Sequence, residues 1–285
     1  MAARGTMTDL GGQTVLITGA NTGIGLATGR ALAARGASIL LACRSEAKAR
    51  AVIEQITTQT GNDKLTYLPL DLADLNSVRE CAQTFLSTDR PLHVLINNAG
   101  LAGRRGLTPS GFELAFGTNH VGPFLLTALL VDRLARSAPA RIVNVASDAH
   151  YSAHGIDFEA VRRSTRSRTG MPEYGVSKLA NVLHAQELAR RLTGTGVTTY
   201  ALHPGVVASD IWRRVPWPIR PLIKLRMGST EDGARTTLYC ATAPEVAGDS
   251  GAYYVDCHQK APAAVATPEL AAELWERSTA WTNGG

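Results

Sequence analysis

Tyr174 and Lys178 are one helical turn apart, in the segment Tyr-Gly-Val-Ser-Lys. Because side chains four residues apart on a helix share a face, a helix here would bring the phenol and the ammonium group together. A free phenol titrates at about pH 10, but a neighbouring cation favours the phenolate and brings its pKa closer to neutral. The pair is therefore a candidate for proton transfer, although an ordinary exposed helix with a Tyr and a Lys is the commoner explanation of this spacing alone.

A serine follows the fifth of the aliphatic, strand-like runs in the chain. The run Ile142-Val143-Asn144-Val145-Ala146 ends at Ser147. Ligands of α/β proteins bind at the carboxyl ends of parallel strands. We therefore expect the Ser147 hydroxyl at a ligand-binding edge.

A glycine-rich turn lies between a predicted strand and a predicted helix near the start of the chain. Its sequence, Thr18 to Gly25, has the spacing G-x-x-x-G-x-G. Glycines let the backbone approach a ligand closely, and amide N–H groups at a helix start attract phosphate. Glycines can also serve only to turn the chain. The position of this turn between strand and helix favours a dinucleotide site.

The residue at the end of the second predicted strand bears on which dinucleotide would bind. In NAD-binding proteins an acidic residue about 20 positions past the glycines binds the ribose 2′-hydroxyl. Here the strand ends in Ala42-Cys43-Arg44-Ser45. Because a guanidinium suits a 2′-phosphate, Arg44 predicts NADP(H). The alternative is that Arg44 is a solvated loop charge.

The elements that must position these residues alternate along the chain. Short apolar runs followed by amphipathic segments are typical of βαβ units around a parallel sheet. The predicted strands are Thr14–Thr18, Ser38–Cys43, Leu65–Pro69, Leu92–Ile96, Arg141–Ala146, Val197–Leu202 and Ala252–Val255. The predicted helices are Gly23–Arg35, Ser45–Thr60, Asp74–Thr88, Gly111–Ser137, Pro172–Thr193, Ser229–Ala241 and Pro268–Thr279. We predict one α/β domain over residues 1–285, a Rossmann-like doubly wound parallel sheet of seven strands with helices on both faces.

Composition excludes several classes of protein. With 45% hydrophobic and 19% charged residues, the 285-residue chain is too apolar for disorder. The longest largely apolar stretch, Val121 to Val131, has 11 residues, whereas a membrane span needs roughly 20. The first ten residues lack the apolar region of a secretory signal, so we expect a cytoplasmic protein without a transmembrane segment. Reduced, packed thiols and no metal site are expected from the four sparse cysteines, which are Cys43, Cys81, Cys240 and Cys257.

The chain has a net charge of +5, and its basic residues cluster in two predicted loops, residues 162–168 and 213–226. Neither basic stretch contains a recognised nucleic-acid docking element. We expect no nucleic-acid partner. Instead, Arg44 and Lys178 are assigned to an anionic dinucleotide.

Taken together, these segments resemble the short-chain dehydrogenase/reductase family. The family's order and approximate spacing are matched by Asn119, Ser147, Tyr174 and Lys178, the predicted catalytic residues. The resemblance implies that Tyr174 exchanges a proton with the substrate oxygen and that Ser147 hydrogen-bonds this oxygen. It further implies that Lys178 tunes Tyr174 and holds the nicotinamide ribose, while Asn119 kinks its helix and holds a water of the proton relay.

The resemblance also implies a set of dinucleotide contacts. Asp71 matches a carboxylate that accepts from the adenine amino group, but it could equally start a helix. Asn97-Asn98-Ala99-Gly100 supports the sheet beside the cofactor, and Pro204-Gly205 packs on the nicotinamide. The predicted cofactor-binding residues are Gly19, Asn21, Thr22, Gly23, Ile24, Gly25, Arg44, Asp71, Leu72, Asn98, Ala99, Gly100, Tyr174, Lys178, Pro204, Gly205 and Val207.

Longer stretches are most similar to the retinol dehydrogenase and WW-domain oxidoreductase branch. Among them are Ala42–Arg44, His93–Gly100, Ser177–Val182 and Asp256–His258. This likeness implies NADP(H)-dependent hydride transfer to or from a carbonyl or alcohol of a hydrophobic substrate, such as a ketone, an aldehyde, a retinoid, a steroid or a polyketide. The alternative is a catalytically silent NADP-binding regulator or scaffold, although such relatives commonly lose the Tyr or the Lys.

Residues 206–228 occupy the position of a substrate lid in related enzymes. Three interpretations fit its mixture of apolar and basic residues: a lid over an apolar carbonyl substrate, an element that touches anionic membrane, and ordinary packing with solvated arginines. We favour the lid. His150, Tyr151 and His154 are candidates for lining the pocket, although single loop histidines more often face solvent. Because the helices with Asn119 and Tyr174 form dimer interfaces in many relatives, the resemblance is compatible with a homodimer.

Overall fold

A central sheet organises the computed structural model, which describes residues 9–205 and 229–283. Its strands are β1 (Thr14–Thr18), β2 (Ser38–Cys43), β3 (Leu65–Pro69), β4 (Val94–Asn97), β5 (Ala140–Val145), β6 (Val197–His203), β7 (Tyr253–Val255) and β8 (His258–Lys260). They are arranged in the order β3-β2-β1-β4-β5-β6-β7-β8. Neighbours are parallel except for the antiparallel pair β7–β8. The expected α/β fold with a mainly parallel sheet is confirmed.

The prediction of seven strands was one short. The eighth, β8, consists of three exposed polar residues. It therefore carries no apolar periodicity, and it forms only because β7 offers it a free edge. The bounds of the seven expected strands agree with the structure to within two residues.

Helices cover both faces of the sheet. They are α1 (Gly23–Ala33), α2 (Glu46–Thr60), α3 (Leu75–Leu86), α4 (Leu114–Phe116), α5 (Gly122–Arg136), α6 (Met171–Arg191), α7 (Thr230–Thr242) and α8 (Pro268–Asn283). Apolar residues of α1, α2 and α7 share one core cluster with the sheet. Those of α3, α5, α6 and α8 share a second cluster on the opposite face. The sheet is thus buried on both sides, which explains why its central strands β1, β4 and β5 are mainly apolar.

The single helix predicted for Gly111–Ser137 is corrected in two respects. The helix begins at Leu114, and the preceding residue, Glu113, caps it because its side chain accepts from the Phe116 N–H. It is also interrupted by a π-helical turn at Gly117–Val121. Such turns insert an extra residue into the hydrogen-bond pattern and often occur at functional sites. Here the turn contains Asn119.

One helix among the described residues is long and apolar enough to cross a membrane, the continuous segment Leu114–Arg136. Of its apolar window, 72% is buried inside the protein, where α5 packs against α3 and the sheet. A buried core helix of this kind passes the same length and composition test as a membrane span. The cytoplasmic localisation stays a prediction.

The C-terminal helix α8 packs across α6 and the start of α5. Trp275 lies against Phe124 and His184, with ring centroids 5.0 and 6.0 Å apart. The guanidinium of Arg191 lies 4.5 Å from the Trp275 ring centre. Farther along, Ser278 hydrogen-bonds the buried His120 at 3.0 Å. Helix α8 therefore covers part of the helical face that the family resemblance had suggested for a homodimer.

Candidate active site

A cavity of about 410 Å³ opens where the sheet order reverses, at the carboxyl ends of β1 and β4. Crevices at this position are the ligand sites of doubly wound sheets. The predicted residues that line it are Gly19, Asn21, Thr22, Gly23, Ile24, Gly25, Arg44, Asp71, Leu72, Asn98, Ala99, Gly100, Tyr174, Lys178 and Pro204. Gly205 follows them without lining the cavity, whereas Val207 and the rest of 206–228 lie outside the described residues. Six separate segments of the chain therefore meet as expected.

The glycine turn packs tightly against the loop that follows β4. Gly19 has a φ of +68°, and a Cβ there would lie 2.9 Å from the Ala99 Cβ. A Cβ on Gly25 would lie 2.5 Å from the Asn98 Nδ2. Asn98 in turn donates to the Thr18 carbonyl at 2.9 Å. The glycines are thus required by the protein's own packing, and Asn98 has a structural role in holding the turn.

The start of α1 suits an anionic group. Thr22 precedes the helix in an extended conformation, its side chain makes no capping hydrogen bond, and the first turn contains no acidic residue. The N–H groups at a helix start carry a partial positive charge and favour phosphate. Because Thr22, Gly23, Ile24 and Gly25 all line the cavity, the residues present fit a pyrophosphate.

The end of the cavity near β2 contains two cations. Arg44 is exposed beside the cavity, and Lys48 lies four residues later in the first turn of α2. Between them, the Ser45 hydroxyl accepts from the Lys48 N–H at 3.4 Å and caps α2. Our sequence reasoning missed Lys48. Lys48 lies four residues after Arg44, and this spacing could have indicated that both side chains lie on the same side of the chain at the start of α2.

Asp71 both stabilises a local turn and lines the cavity, the two roles that the sequence left open. Its Oδ1 accepts from the Ala73 N–H at 3.0 Å, which stabilises the turn after β3. Asp71 also lines the cavity. A carboxylate oxygen can accept more than one hydrogen bond, so the turn contact leaves Asp71 free to accept from a ligand as well.

Helix α6 places Tyr174 and Lys178 together, as their spacing predicts. Tyr174 is 8% exposed and Lys178 only 3%. The Lys178 Nζ lies 5.6 Å from the centre of the Tyr174 ring and donates to the Val145 carbonyl at 2.7 Å. Its location next to the end of β5 brings the lysine to the carboxyl edge of the sheet.

Burial controls the pKa of both groups. It lowers the pKa of Lys178 from 10.5 to about 7, because the charged ammonium loses its hydration. Burial also raises the pKa of Tyr174 above 10, while the hydrogen bond with Ser147 opposes the rise. We had expected Lys178 to bring the pKa of Tyr174 closer to neutral, and this expectation was wrong, because the pKa is raised. Desolvation of the phenolate is the largest cause of the raised pKa.

Ser147 lies just beyond β5, at the start of a 3-10 turn formed by Asp148–Ser152. Its hydroxyl accepts from the Ala149 N–H at 3.2 Å and hydrogen-bonds the Tyr174 side chain. Ser147 is not itself part of the cavity lining. The structure nevertheless brings its hydroxyl to the phenol that lines the cavity.

Asn119 links the loop after β4 to α6. Its Oδ1 accepts from the Leu101 N–H at 2.8 Å, and its Nδ2 donates to the Leu101 carbonyl at 2.9 Å. The Nδ2 also donates to the Ser177 Oγ at 2.9 Å. Asn119 is 1% exposed and does not line the cavity. These contacts hold the cavity wall, whereas a water held by Asn119 stays a prediction.

The three residues named as candidates for the pocket lining do not line the cavity. Tyr151 and His154 are exposed. His150 is fully buried, contrary to the expectation that a single loop histidine faces solvent. One reason is a long-range hydrogen bond, in which the His150 Nε2 accepts from the Ala263 N–H, and local sequence cannot reveal it.

Comparison with known proteins identifies the class. The family model for short chain dehydrogenases matches residues 13–217. The chain belongs to the short-chain dehydrogenase/reductase family. It is an oxidoreductase that acts on alcohol or carbonyl groups with a nicotinamide dinucleotide.

Relatives place it in the retinol dehydrogenase-like branch of that family. It is 45% identical to retinol dehydrogenase 12 of Mus musculus over 275 residues, covering 94% of this chain and 85% of the relative. It is 43% identical to the human dehydrogenase/reductase SDR family member 13 over 281 residues, covering 96% and 74%. A solved structure of an uncharacterized Mycobacterium paratuberculosis protein matches with a TM-score of 0.77 at 33% identity, covering 97% and 95%.

Proposed function

We propose that this protein is an NADP(H)-dependent oxidoreductase that transfers a hydride between nicotinamide and a carbonyl or alcohol carbon of a hydrophobic substrate. Tyr174 acts as the proton donor and acceptor. The observation that carries the proposal is that Tyr174 and Lys178 line the same cavity as the glycine turn, with the Ser147 side chain beside the Tyr174 phenol.

The nicotinamide supplies the hydride acceptor or donor when bound, and the chain's own side chains handle the proton. In the direction of reduction, the Tyr174 Oη donates a proton to the oxygen on which negative charge develops. The Ser147 hydroxyl, which hydrogen-bonds the phenol, donates to the same oxygen. Each contact is stronger in the transition state than in the ground state because the charge forms only there.

Lys178 serves both the phenol and the ribose in this proposal. An ammonium group has three N–H donors, and the Val145 carbonyl accepts from one of them. The remaining donors can reach ribose hydroxyls. In its charged form Lys178 also favours the phenolate that Tyr174 becomes after donating its proton.

The preference for NADP(H) is supported by Arg44 and Lys48, two cations that line the cavity near Ser45. A 2′-phosphate would gain charge-assisted hydrogen bonds from both, each worth about 1.5–3 kcal/mol. We therefore expect Arg44→Ala and Lys48→Ala each to lower kcat/KM for NADPH by about tenfold to a hundredfold. Kinetics with NADH should change little, and Lys64→Ala, at an exposed lysine outside the cavity lining, is the matched control. Equal losses with both dinucleotides would contradict the assignment.

The substrate class rests on the sequence of residues 206–228 and on the relatives named retinol dehydrogenase. An activity screen should therefore include retinal, medium and long aldehydes, steroid ketones and polyketide-like ketones. We expect turnover with at least one bulky apolar carbonyl. Polar short-chain ketones should be poor substrates.

Tyr174→Phe separates the enzyme from the catalytically silent alternative. The variant should bind NADPH as wild type does, by fluorescence titration, while turnover falls at least about a hundredfold. A wild-type protein that binds NADPH and reduces no carbonyl of the screen would support a regulator or scaffold instead. Retained turnover in Tyr174→Phe would remove this residue from its role.

A further inference from the structure

The peptide group that follows Ser147 is held on both sides by histidine side chains. The Ser147 carbonyl accepts from the His150 Nδ1 at 2.7 Å. The N–H of the same peptide group, which belongs to Asp148, donates to the His203 Nδ1 at 3.3 Å. The two histidines come from different parts of the chain, since His150 lies in the 3-10 turn and His203 ends β6.

The hydrogen-bond partners determine the tautomer of each histidine. A carbonyl can only accept, so the His150 Nδ1 carries a proton, and its Nε2 accepts from the Ala263 N–H at 3.1 Å. A backbone N–H can only donate, so the His203 Nδ1 carries no proton and the proton of the neutral ring is on Nε2. Both rings act as acceptors, and both must therefore be neutral.

Each ring is also fixed by its surroundings. His150 is fully buried and packs against Tyr151 and Tyr253, with ring centroids 4.0 and 4.7 Å apart. The His203 Nε2 lies 3.8 Å from the Asp148 Oδ2, and the other oxygen of that carboxylate accepts from the Tyr253 hydroxyl at 2.7 Å. Neither imidazole can rotate freely, so the peptide between Ser147 and Asp148 has a defined orientation.

We propose that His150 and His203 are positioning residues that clamp the Ser147–Asp148 peptide and so aim the Ser147 hydroxyl at the substrate oxygen. This inference rests on the proposed function. The Ser147 Oγ lies only three bonds from the carbonyl carbon of this peptide, through Cα and Cβ, so a change in the orientation of the peptide would move the hydroxyl. A displacement of about 1 Å at a reacting group can lower a rate by about a hundredfold.

Low pH should break the hydrogen bonds by which the two histidines hold the Ser147–Asp148 peptide. Protonation would convert the acceptor atoms of both rings into donors, facing the N–H groups of Asp148 and Ala263. Burial lowers the pKa of both histidines below 6.5, which keeps them neutral at pH 7. The charged groups that act on them are Asp148, Lys260 and, for His203, Asp256; the carboxylates raise the pKa and the lysine lowers it. His203 also lowers the pKa of His150. The clamp is therefore complete at neutral pH and is lost as the pH falls through these lowered pKa values.

Steady-state kinetics of His203 variants test the proposal. His203→Leu removes the acceptor, and kcat should fall by about tenfold to a hundredfold while the dissociation constant of NADPH changes by less than about threefold. His203→Asn can present its Oδ1 near the position of Nδ1, so it should recover most of this loss. Because Asn does not titrate, the fall of kcat on the acid side should also move to lower pH in this variant.

His93 provides a matched control. Its Nδ1 likewise accepts a backbone N–H, that of Thr14, at 3.0 Å, but at the opposite edge of the sheet. His93→Leu removes an equivalent hydrogen bond and should leave kcat within about twofold, even where its melting temperature falls. A loss of kcat in His203→Leu no greater than in His93→Leu would overturn the proposal.

Nitrogen-15 NMR of the imidazole groups gives a test that needs no substrate. The signals, assigned with His150→Asn and His203→Asn, should show an Nδ1–H tautomer at His150 and an Nε2–H tautomer at His203. The opposite tautomer at either residue would refute the clamp. If wild type turned over none of the carbonyls while both tautomers were as expected, the proposed function would fail and the clamp geometry would stand.

Discussion

Replacing Lys178 by methionine should make the protein more stable and inactive. The ammonium group is almost completely buried, and only the Val145 carbonyl accepts from it among the described residues. Methionine has nearly the same length and carries no charge. The Val145 carbonyl would keep a partner, because the Asn181 Nδ2 also donates to it at 3.3 Å.

The magnitude follows from the pKa of Lys178, which is 10.5 ordinarily and about 7 in the folded protein. A lysine whose pKa is lower in the folded protein than in the unfolded chain destabilises the fold at every pH at which the unfolded lysine is charged. The penalty is complete below about pH 7 and disappears as the pH rises toward 10.5. By linkage it is about 4 kcal/mol at pH 7 and about 2 kcal/mol at pH 9. Subtracting about 1 kcal/mol for the lost hydrogen bond leaves a net stabilisation of about 3 and about 1 kcal/mol.

Thermal unfolding at the two pH values measures this effect. With about 2 °C per kcal/mol for a chain of this size, Lys178→Met should raise Tm by roughly 6 °C at pH 7 and roughly 2 °C at pH 9. Turnover should fall at least about a hundredfold. Lys64→Met, at an exposed lysine, is the control and should change Tm by less than about 1 °C. An unchanged Tm in Lys178→Met, or a gain that is equal at both pH values, would refute the argument that burial of the charge destabilises the fold.

Three further outcomes are expected. Asn119→Ala removes the hydrogen bonds to the Leu101 backbone and should weaken NADPH binding by about tenfold, measured by fluorescence titration; unchanged affinity would show that the loop holds without them. Gly122→Ala would place a Cβ 2.2 Å from the Leu72 carbonyl oxygen and should cost about 2–4 kcal/mol in urea unfolding, whereas a loss below about 0.5 kcal/mol would mean that the helix shifts freely. Because α8 covers part of the α5 and α6 face, crosslinking with mass spectrometry should join no two copies of the protein through the covered residues, and such a crosslink would contradict that expectation.

Local pattern was sufficient for seven of the eight strands and for the glycine turn of the cavity. A strand buried between two helical layers must be apolar, and a tight turn before a helix must contain glycine, so both leave a trace in neighbouring residues. Helix periodicity is a local property too, so the four-residue spacing of Tyr174 and Lys178 was enough to predict that they share one face of α6. These predictions needed no knowledge of distant contacts.

Features that depend on distant parts of the chain were not predictable in this way. The π-helical turn at Asn119 is held by Leu101 and Ser177, and the burial of His150 depends on Ala263. None of these partners is near its counterpart in the sequence. Spacing along the chain therefore had no means of revealing them.

The sequence by itself determined which functional groups the protein has and which predicted strand, turn or helix carries each of them, because both follow from residue type and from period along the chain. Only the tertiary structure decided the state of those groups. Burial sets the pKa of Lys178 at about 7 and raises that of Tyr174, and the contacts of His150 and His203 set the orientation of the peptide after Ser147. Desolvation and orientation are properties of the packed surroundings, and those surroundings come together only when segments far apart in the chain meet.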